Sequence, residues 1–495
     1  MSRQWNVHNV KGLQYLFNRL TSHGYEAYLV GGAVRSALLN LPIVDYDVAS
    51  SASPNEVMQL FEHVIPTGIA HGTVTVMLED IAIEVTTFRS DGAYSDGRRP
   101  DQVVFASSIQ EDLARRDFTM NAMAIDKDGA LKDPFNGLGA VEVGIIAAVG
   151  DPVLRMGEDR LRKLRAFRFQ SQLGFKFCPH LQAAIKAAPQ LDGVSGERIK
   201  AEMDKLLMGP HVEMALSSMV DLGVLDVVMP ELSALVHFDQ GHPAHRFDAF
   251  THTIQLIKAL PEASMRMRLL QDEEILKNST LKCQLIWAAL YHDAGKPFTK
   301  SVDENGISHY YQHQKHSIAL FDPLAKRLKF SKKEVITISA IIDLHMLRPV
   351  PESRAVRRWI NRIVTTFGKG GACLGQKESA EGQSLREVVA LMLTFLLADK
   401  IATGTLTDYA YHDALKTIAL DALETKAPFD RKALRVDGHQ LMMAYDTLRN
   451  EPQLLKSLFE DLVTICLDDP EQNQTERLMA LTKDWIDKKN SQRLS

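Results

Sequence analysis

The stretch LVGGAVRSALLNLPIVDYDVAS, residues 29–50, runs an apolar segment into two glycines and an arginine, then presents two aspartates one residue apart. On a strand Asp45 and Asp47 point to the same side. Two carboxylates held together are costly unless a cation sits between them, and Mg2+ is held by one or two carboxylates plus substrate phosphates. A solvated turn carries the same Asp-x-Asp pattern. Gly31 and Gly32 leave room for backbone N–H groups to approach an anion. Arg35, about one turn into the following helix, is placed to clamp the same anion. Together these residues describe a place where a triphosphate is held and attacked.

A second set lies in GEDRLRKLRAFRFQSQLGF, residues 157–175. Read as one helix, Asp159, Arg162 and, less squarely, Arg165 share a face through spacings of three and four. An internal ion pair on a surface helix satisfies that spacing too. The other reading turns on hydrogen-bond polarity. Cytosine and adenine each present an exocyclic amine beside an unprotonated ring nitrogen. A carboxylate only accepts and a guanidinium only donates, so Asp159 suits the amine and Arg162 the ring nitrogen. Uracil and guanine invert the order and leave both side chains unpaired, at about 1–3 kcal/mol for each buried polar group.

Between these sets, EDLARRDFTMNAMAID (111–126) gathers Arg115, Arg116, Asp117 and Asn121, and Glu84 in IAIEVTTF is either a third carboxylate or a plain strand residue. Farther along, His252, the adjacent His292 and Asp293 in LYHDAGKP, His313, His345 and Asp399 are scattered through apolar helical sequence. His316 competes with His313 for the same place. A His-Asp pair entering a buried segment needs partners. Imidazoles and carboxylates converging from several helices suit Mn, Fe, Ni or Mg and can activate water.

These residues need two kinds of support. Up to about residue 150, the runs AYLVGG, GTVTVML, IAIEVTTF and QVVFA alternate with turn residues and read as strands; helical periodicity follows. The stretches around 263–280 and 366–384 read as loops or insertions. The fold class is therefore α+β, a small mixed sheet followed by an all-helical region. At 495 residues the chain holds several domains. They are expected at 1–150 (head), 151–235 (neck with the base-reading helix), 236–405 (helical body) and 406–495 (helical tail). A net charge of −5 argues against wholesale coating of nucleic acid, so any nucleic-acid site is a local basic surface. No apolar run spans a bilayer, and the four scattered cysteines suit a reducing cytoplasm better than a disulfide or zinc framework. Nothing in the pattern bears on oligomeric state.

GGAVR, DYD, ARRDFTMNAMA, DPFNG and GEDRLRKLRAFRF occur in the order seen in the bacterial class II tRNA nucleotidyltransferases, and the resemblance extends to SGERIKAEMDKLL at 195–207. That family comprises CCA-adding enzymes and bacterial poly(A) polymerases. The resemblance implies that Asp45 and Asp47 hold Mg2+, that Gly32, Arg35 and Arg116 hold the triphosphate, and that Asp159 and Arg162 read the base with Arg165 and Arg168 in support. It implies tRNA, CTP and ATP as partners. Family members commonly carry Asp where this chain has Ser36, which removes a charge behind the phosphate turn, and Thr where it has Ser50. Relatives adding only CC lack a flexible loop that here looks complete as FRSDGAYSDGRRPDQV (88–103), which favours addition of the final A. The H, HD, H, H, D order of the body resembles the HD-type metal-dependent phosphohydrolases. The expected function is CCA addition. The alternatives are poly(A) synthesis, or an RNA-binding or HD-type hydrolytic protein with an inactive head.

Overall fold

The computed structural model describes residues 10–78, 81–90, 104–241, 246–269, 278–368, 385–425 and 427–494. They form two compact units, Met1–Pro230 and Glu231–Ser495. The first unit is built on a seven-stranded mixed sheet. Its strands are β1 (Ala27–Val30), β2 (Tyr46–Ser50), β3 (Val64–Gly68), β4 (Thr73–Leu78) and β5 (Ile81–Thr87), with β8 (Ala124–Ile125) and β9 (Leu131–Lys132) beyond a two-stranded ribbon, β6 (Arg89–Ser90) and β7 (Val104–Phe105). The order across the sheet is β3-β4-β5-β2-β1-β8-β9. β2 runs parallel to β5 and antiparallel to β1, and the β2–β5 register sets Asp47 opposite Glu84.

The sequence runs AYLV, GTVTVML and IAIEVTTF thus become strands, and QVVFA contributes only Val104–Phe105. β2 carries Asp47, with Asp45 one residue before it, but has no long β-branched run to announce it. It is fixed by its central place in the sheet, where Val48 and Ala49 are buried. The helix Pro54–Leu60 that follows starts at a capping box between Ser53 and Glu56.

Two helices of this unit pack on each other: Leu161–Leu173, with Leu164, Ala166 and Phe167 fully buried, and Gly196–Leu207, with Met203 and Leu206 fully buried. Buried Lys163 fastens the first of them to the chain at Ala188 and Gln190, donating to both carbonyls. The apparent single helix at 157–175 is broken. One helix, Pro152–Glu158, ends at Asp159, which is extended at φ −137°, and the next starts at Leu161. The Asp159 carboxylate takes the Leu161 N–H at 3.0 Å, an alternative hydrogen bond that competes with continued helix.

The second unit is helical. Ser279–Tyr291 is apolar on nearly every side and buried accordingly, with Leu285, Ala288, Ala289 and Leu290 fully enclosed. Ala249–Arg266 and Leu385–Ala402 are two further long helices of this unit. Residues 263–266, expected in a loop, continue the first of these, and 366–368 end the helix Ser353–Gly368. The remaining expected insertions, 270–277 and 369–384, and most of the 88–103 loop lie outside the described residues. Arg354 and Arg358 bind the Asp468 carboxylate, while Arg357 donates to the Leu467 and Asp468 carbonyls, capping the helix Leu454–Asp468. No helix among the described residues is long and apolar enough to cross a membrane.

Candidate nucleotide site and buried metal-type cluster

A cavity of about 520 Å3 in the first unit gathers Gly32, Arg35, Asp47, Arg116, Asp159, Arg162, Arg165 and Arg168 in its wall. Of the head residues singled out from sequence, Asp45 alone stands outside that lining. It is exposed and lies one residue before β2. Burial holds the Asp47 carboxyl above its usual range; Arg116 opposes that shift and Asp45 adds to it. Glu84 is shifted the same way, by burial first and then by Asp47 and Asp45. These carboxylates do not form a compact three-ligand group among the described residues.

The turn before the first helix explains how charge comes so close to backbone. Gly31, not Gly32, takes the left-handed conformation, at φ +68°. A Cβ there would lie 2.9 Å from an Arg116 guanidinium nitrogen, whereas one on Gly32 would meet only Arg35, at 3.6 Å. Arg116 is aimed by Asp112, a fully buried acid that also takes two hydrogen bonds from Arg115 and the backbone N–H of Arg89. The arginines hold Asp112 below the usual carboxylate range although burial pushes the other way.

Arg35 donates to Asn121 and lies over the Phe169 ring at 4.9 Å. It is therefore anchored without a charged residue at position 36. Burial lowers its guanidinium to about 10, with Asp117 opposing. Arg165 and Arg168 face the same ring, at 5.6 and 4.4 Å. Arg165 binds Asp117 at 2.6 Å and Arg168 binds Glu202 at 2.9 Å. Burial alone would raise Asp117, but Arg165 and Asn121 bring it down to about 2. The Nε atoms of Arg35, Arg89 and Arg116 are buried and have no hydrogen-bond partner among the described residues. Buried donors without acceptors are rare. In an arginine-walled cavity, an anionic ligand is the natural acceptor.

The Asp159–Arg162 pair is held from both sides. Asp159 gives one oxygen to the Leu161 N–H and the other to Arg198, at 2.8 Å. Arg162 is fixed by Glu158 and by the carbonyls of Arg155 and Arg115, at 3.1 and 3.3 Å. Each carboxylate oxygen keeps a further lone pair, and the guanidinium further N–H groups, for a ligand. Sequence reasoning assigned no role to Glu158, Arg198, Asp112 or Phe169. All four sit inside or beside quoted motifs; Arg198 and Phe169 meet partners distant in sequence, Asp159 and Arg35, whereas Glu158 and Asp112 pair with arginines three and four residues away.

In the second unit His252, His292, Asp293, His313, His345 and Asp399 come together, all buried. Two overlapping groups share Asp293: His252 and His292 on one side, His313 and His345 on the other. His252 Nε2 lies 3.1 Å from Asp399, and His313 Nε2 lies 3.2 Å from Asp293. His316 is exposed, so His313 takes the place the two contested. Lys296, unassigned from sequence, binds Asp293 at 2.7 Å. Burial first, then the neighbouring histidines set against Asp293, hold His345 down at about 3, so it is neutral. Nδ1 of His292, His313 and His345 bonds the carbonyls of Ala289, Tyr310 and Ile342, at 2.7, 2.8 and 2.6 Å. That fixes the tautomer and turns lone pairs on Nε2 inward. The Nε2 atoms of His313 and His345 are then two acceptors 3.1 Å apart, which a shared cation reconciles.

Gly295 makes this closeness possible. A Cβ there would fall 2.2 Å from the His313 carbonyl oxygen, which is backbone and cannot rotate away. Gly295→Ala is expected to cost about 1–3 kcal/mol through overpacking and to weaken any divalent-cation binding at the cluster. Chemical denaturation and Mn2+ titration of the full chain check this, and unchanged values in both would contradict it.

Family models match in the same places: the poly A polymerase head domain over 27–147, the probable RNA and SrmB-binding site of polymerase A over 174–235, and the HD domain over 250–390. The CCA-adding enzyme of Enterococcus faecalis is 34% identical over 367 residues, which cover 70% of this chain and 88% of that one. The chain belongs to the CCA-adding enzyme family. Identity rises to 50% over 215 residues with the CCA-adding enzyme of Anoxybacillus flavithermus, a match covering 43% of this chain and 54% of the relative. In such matches the chain spans about half the length of the curated relatives. Among solved structures, the Bacillus stearothermophilus CCA-adding enzyme in complex with CTP aligns at TM-score 0.65 and 27% identity, covering 97% of this chain and 98% of that one.

Proposed function

We propose that the chain adds C, C and A to tRNA 3′ ends from CTP and ATP without a nucleic-acid template. The observation that carries this reading is the single cavity in which Asp47, orphaned arginine donors and the Asp159–Arg162 pair face one another. The family and the CTP complex of a relative support it. On this reading residues 1–150 are the catalytic head, 151–235 the neck, 236–405 the HD-type body and 406–495 a helical tail, and the enzyme works in the cytoplasm.

Asp45 and Asp47 would hold Mg2+, which when bound acidifies the attacking 3′-hydroxyl and offsets charge on the departing group. Arg35 and Arg116, with Gly31 and Gly32 at the turn, hold the triphosphate. The 3′-oxygen bonds to the α-phosphorus, the bridging bond to the β-phosphate breaks, and pyrophosphate leaves against the arginines. Asp159 accepts from the exocyclic amine and Arg162 donates to the ring nitrogen. Arg198 and Glu158 keep that pair from turning away, and Arg165 and Arg168 support the pocket around Phe169.

A second reading concerns the body. The facing acceptor nitrogens of His313 and His345 favour a divalent metal there (Mn, Fe, Ni or Mg), and with it phosphoester hydrolysis by an activated water. Incubating the full chain and Mg2+ with tRNA lacking its CCA end tests the main reading. CTP alone should give two additions, and CTP with ATP the complete CCA. A long A tail would replace the proposal with poly(A) synthesis, and no incorporation would refute an active head.

A further inference from the structure

The helical unit holds a second cavity of about 520 Å3, distinct from the space of about 410 Å3 over the histidine–aspartate cluster. Val350, Pro351, Leu396 and Leu406 give it an apolar floor, and its polar wall comes from Arg348, Lys400, Asp408, Tyr411 and His412. Arg348 lines both spaces. It is half-exposed, and its Nη2 holds Asp399 at 2.8 Å.

The wall of this cavity is built and incompletely satisfied. Tyr411 is fixed by donating to the Pro349 carbonyl at 2.9 Å, and Lys400 donates to the Thr405 hydroxyl at 3.1 Å. His412 is 5% exposed and has no hydrogen-bond partner for Nδ1 among the described residues. Its backbone bond to Leu396 leaves that nitrogen as an acceptor, and burial, then Arg348, holds the ring below its ordinary value and so neutral. Two cations, a carboxylate, an aromatic ring, apolar side chains and a buried acceptor line one cavity and form a consistent set. They match a phosphate, a hydroxylated sugar and a flat heterocycle with an N–H to donate.

We propose that this cavity binds a nucleoside monophosphate, its phosphate on Arg348 and Lys400 and its heterocycle on the apolar floor beside His412. Because Arg348 is shared, a phosphate that engages it withdraws the partner of Asp399. Nucleotide binding therefore strengthens metal binding at the cluster, and by linkage metal strengthens nucleotide binding equally. The cavity stands on its own residues; the coupling rests on the cluster being a metal site.

Hydrogen exchange on the full chain locates the ligand, with 5′-AMP, adenosine and inorganic phosphate as probes. AMP should slow exchange across 347–351 and 396–412, and adenosine or phosphate should do so only at far higher concentration. The double variant Arg348→Ala, Lys400→Ala should lose this footprint yet keep AMP protection at 29–36 and 159–165 in the head. Arg348→Lys should restore part of it. An AMP footprint confined to the head, or one that survives the double variant with an unchanged melting temperature, overturns the proposal. Mn2+ titration followed by electron paramagnetic resonance reads the coupling on an Asp47→Asn background, which removes the head metal. AMP should tighten Mn2+ binding by roughly fivefold or more. Arg348→Ala should tighten it without AMP and no longer respond. A footprint as described with Mn2+ affinity unmoved overturns the coupling and leaves the cavity site standing.

Discussion

Replacing Asp47 by Asn lowers single-turnover incorporation of C into tRNA by about a hundred- to a thousandfold, the scale on which one stabilising group in a transition state acts. The reason is local. Asp47 lines the cavity, faces Glu84 across the sheet and lies beside the Gly31 turn that admits Arg116. Its carboxyl is held above its usual range by burial, a cost that a bound cation removes. Asparagine keeps the shape and removes the charge, so the melting temperature should stay where it is. Any phosphoester hydrolysis by the helical unit should also survive, because the histidine–aspartate cluster belongs to the other compact unit. Incorporation within a few-fold of the parent would contradict the assignment of Asp47.

Arg162→Ala has the next largest consequence, on selectivity more than on rate. With the guanidinium gone, the ring nitrogen of cytosine loses its donor and the ring N–H of uracil no longer meets a clashing one. The difference between unpaired and paired buried groups, about 1–3 kcal/mol, corresponds to about five- to 150-fold in the ratio of CTP to UTP incorporation. Arg162 also bonds Glu158 and two carbonyls, so its loss frees Glu158 to turn. A second variant, Glu158→Gln, separates the effects: it loosens Arg162 without removing it, and should reduce selectivity less. Competition between CTP and UTP on one tRNA measures both variants. A ratio unchanged in Arg162→Ala would mean that the base is read elsewhere.

Local chemistry was legible in the sequence where it depends on neighbours in the chain. The spacing of Asp159 and Arg162 keeps them neighbours even though the helix breaks at Asp159, the Arg162 N–H donating to the Asp159 carbonyl at 2.9 Å. The break itself was signalled by Gly157 and by an aspartate able to capture a backbone N–H. Partners fixed by tertiary packing were not legible. Nothing in the chain announces that β2 and β5 are parallel neighbours, and so that Glu84 stands opposite Asp47. Nor does spacing place Arg198 on Asp159, or Arg348 on Asp399. The six cluster residues run from 252 to 399, and only the adjacent His292–Asp293 pair carried a local signal. The choice between His313 and His316 is made by burial, since one turn of helix face separates the buried cluster from solvent.

The central claim is that the base is chosen by protein side chains beside carboxylates that seat the catalytic cation. A crystal of the full chain grown with Mn2+ and a non-reactive CTP analogue tests it most directly. The account predicts Mn2+ between Asp45 and Asp47, the cytosine amine on Asp159 and its ring nitrogen on Arg162. A cytosine stacked elsewhere with that pair still closed on Arg198 and Glu158, or metal absent from the two aspartates, would contradict it.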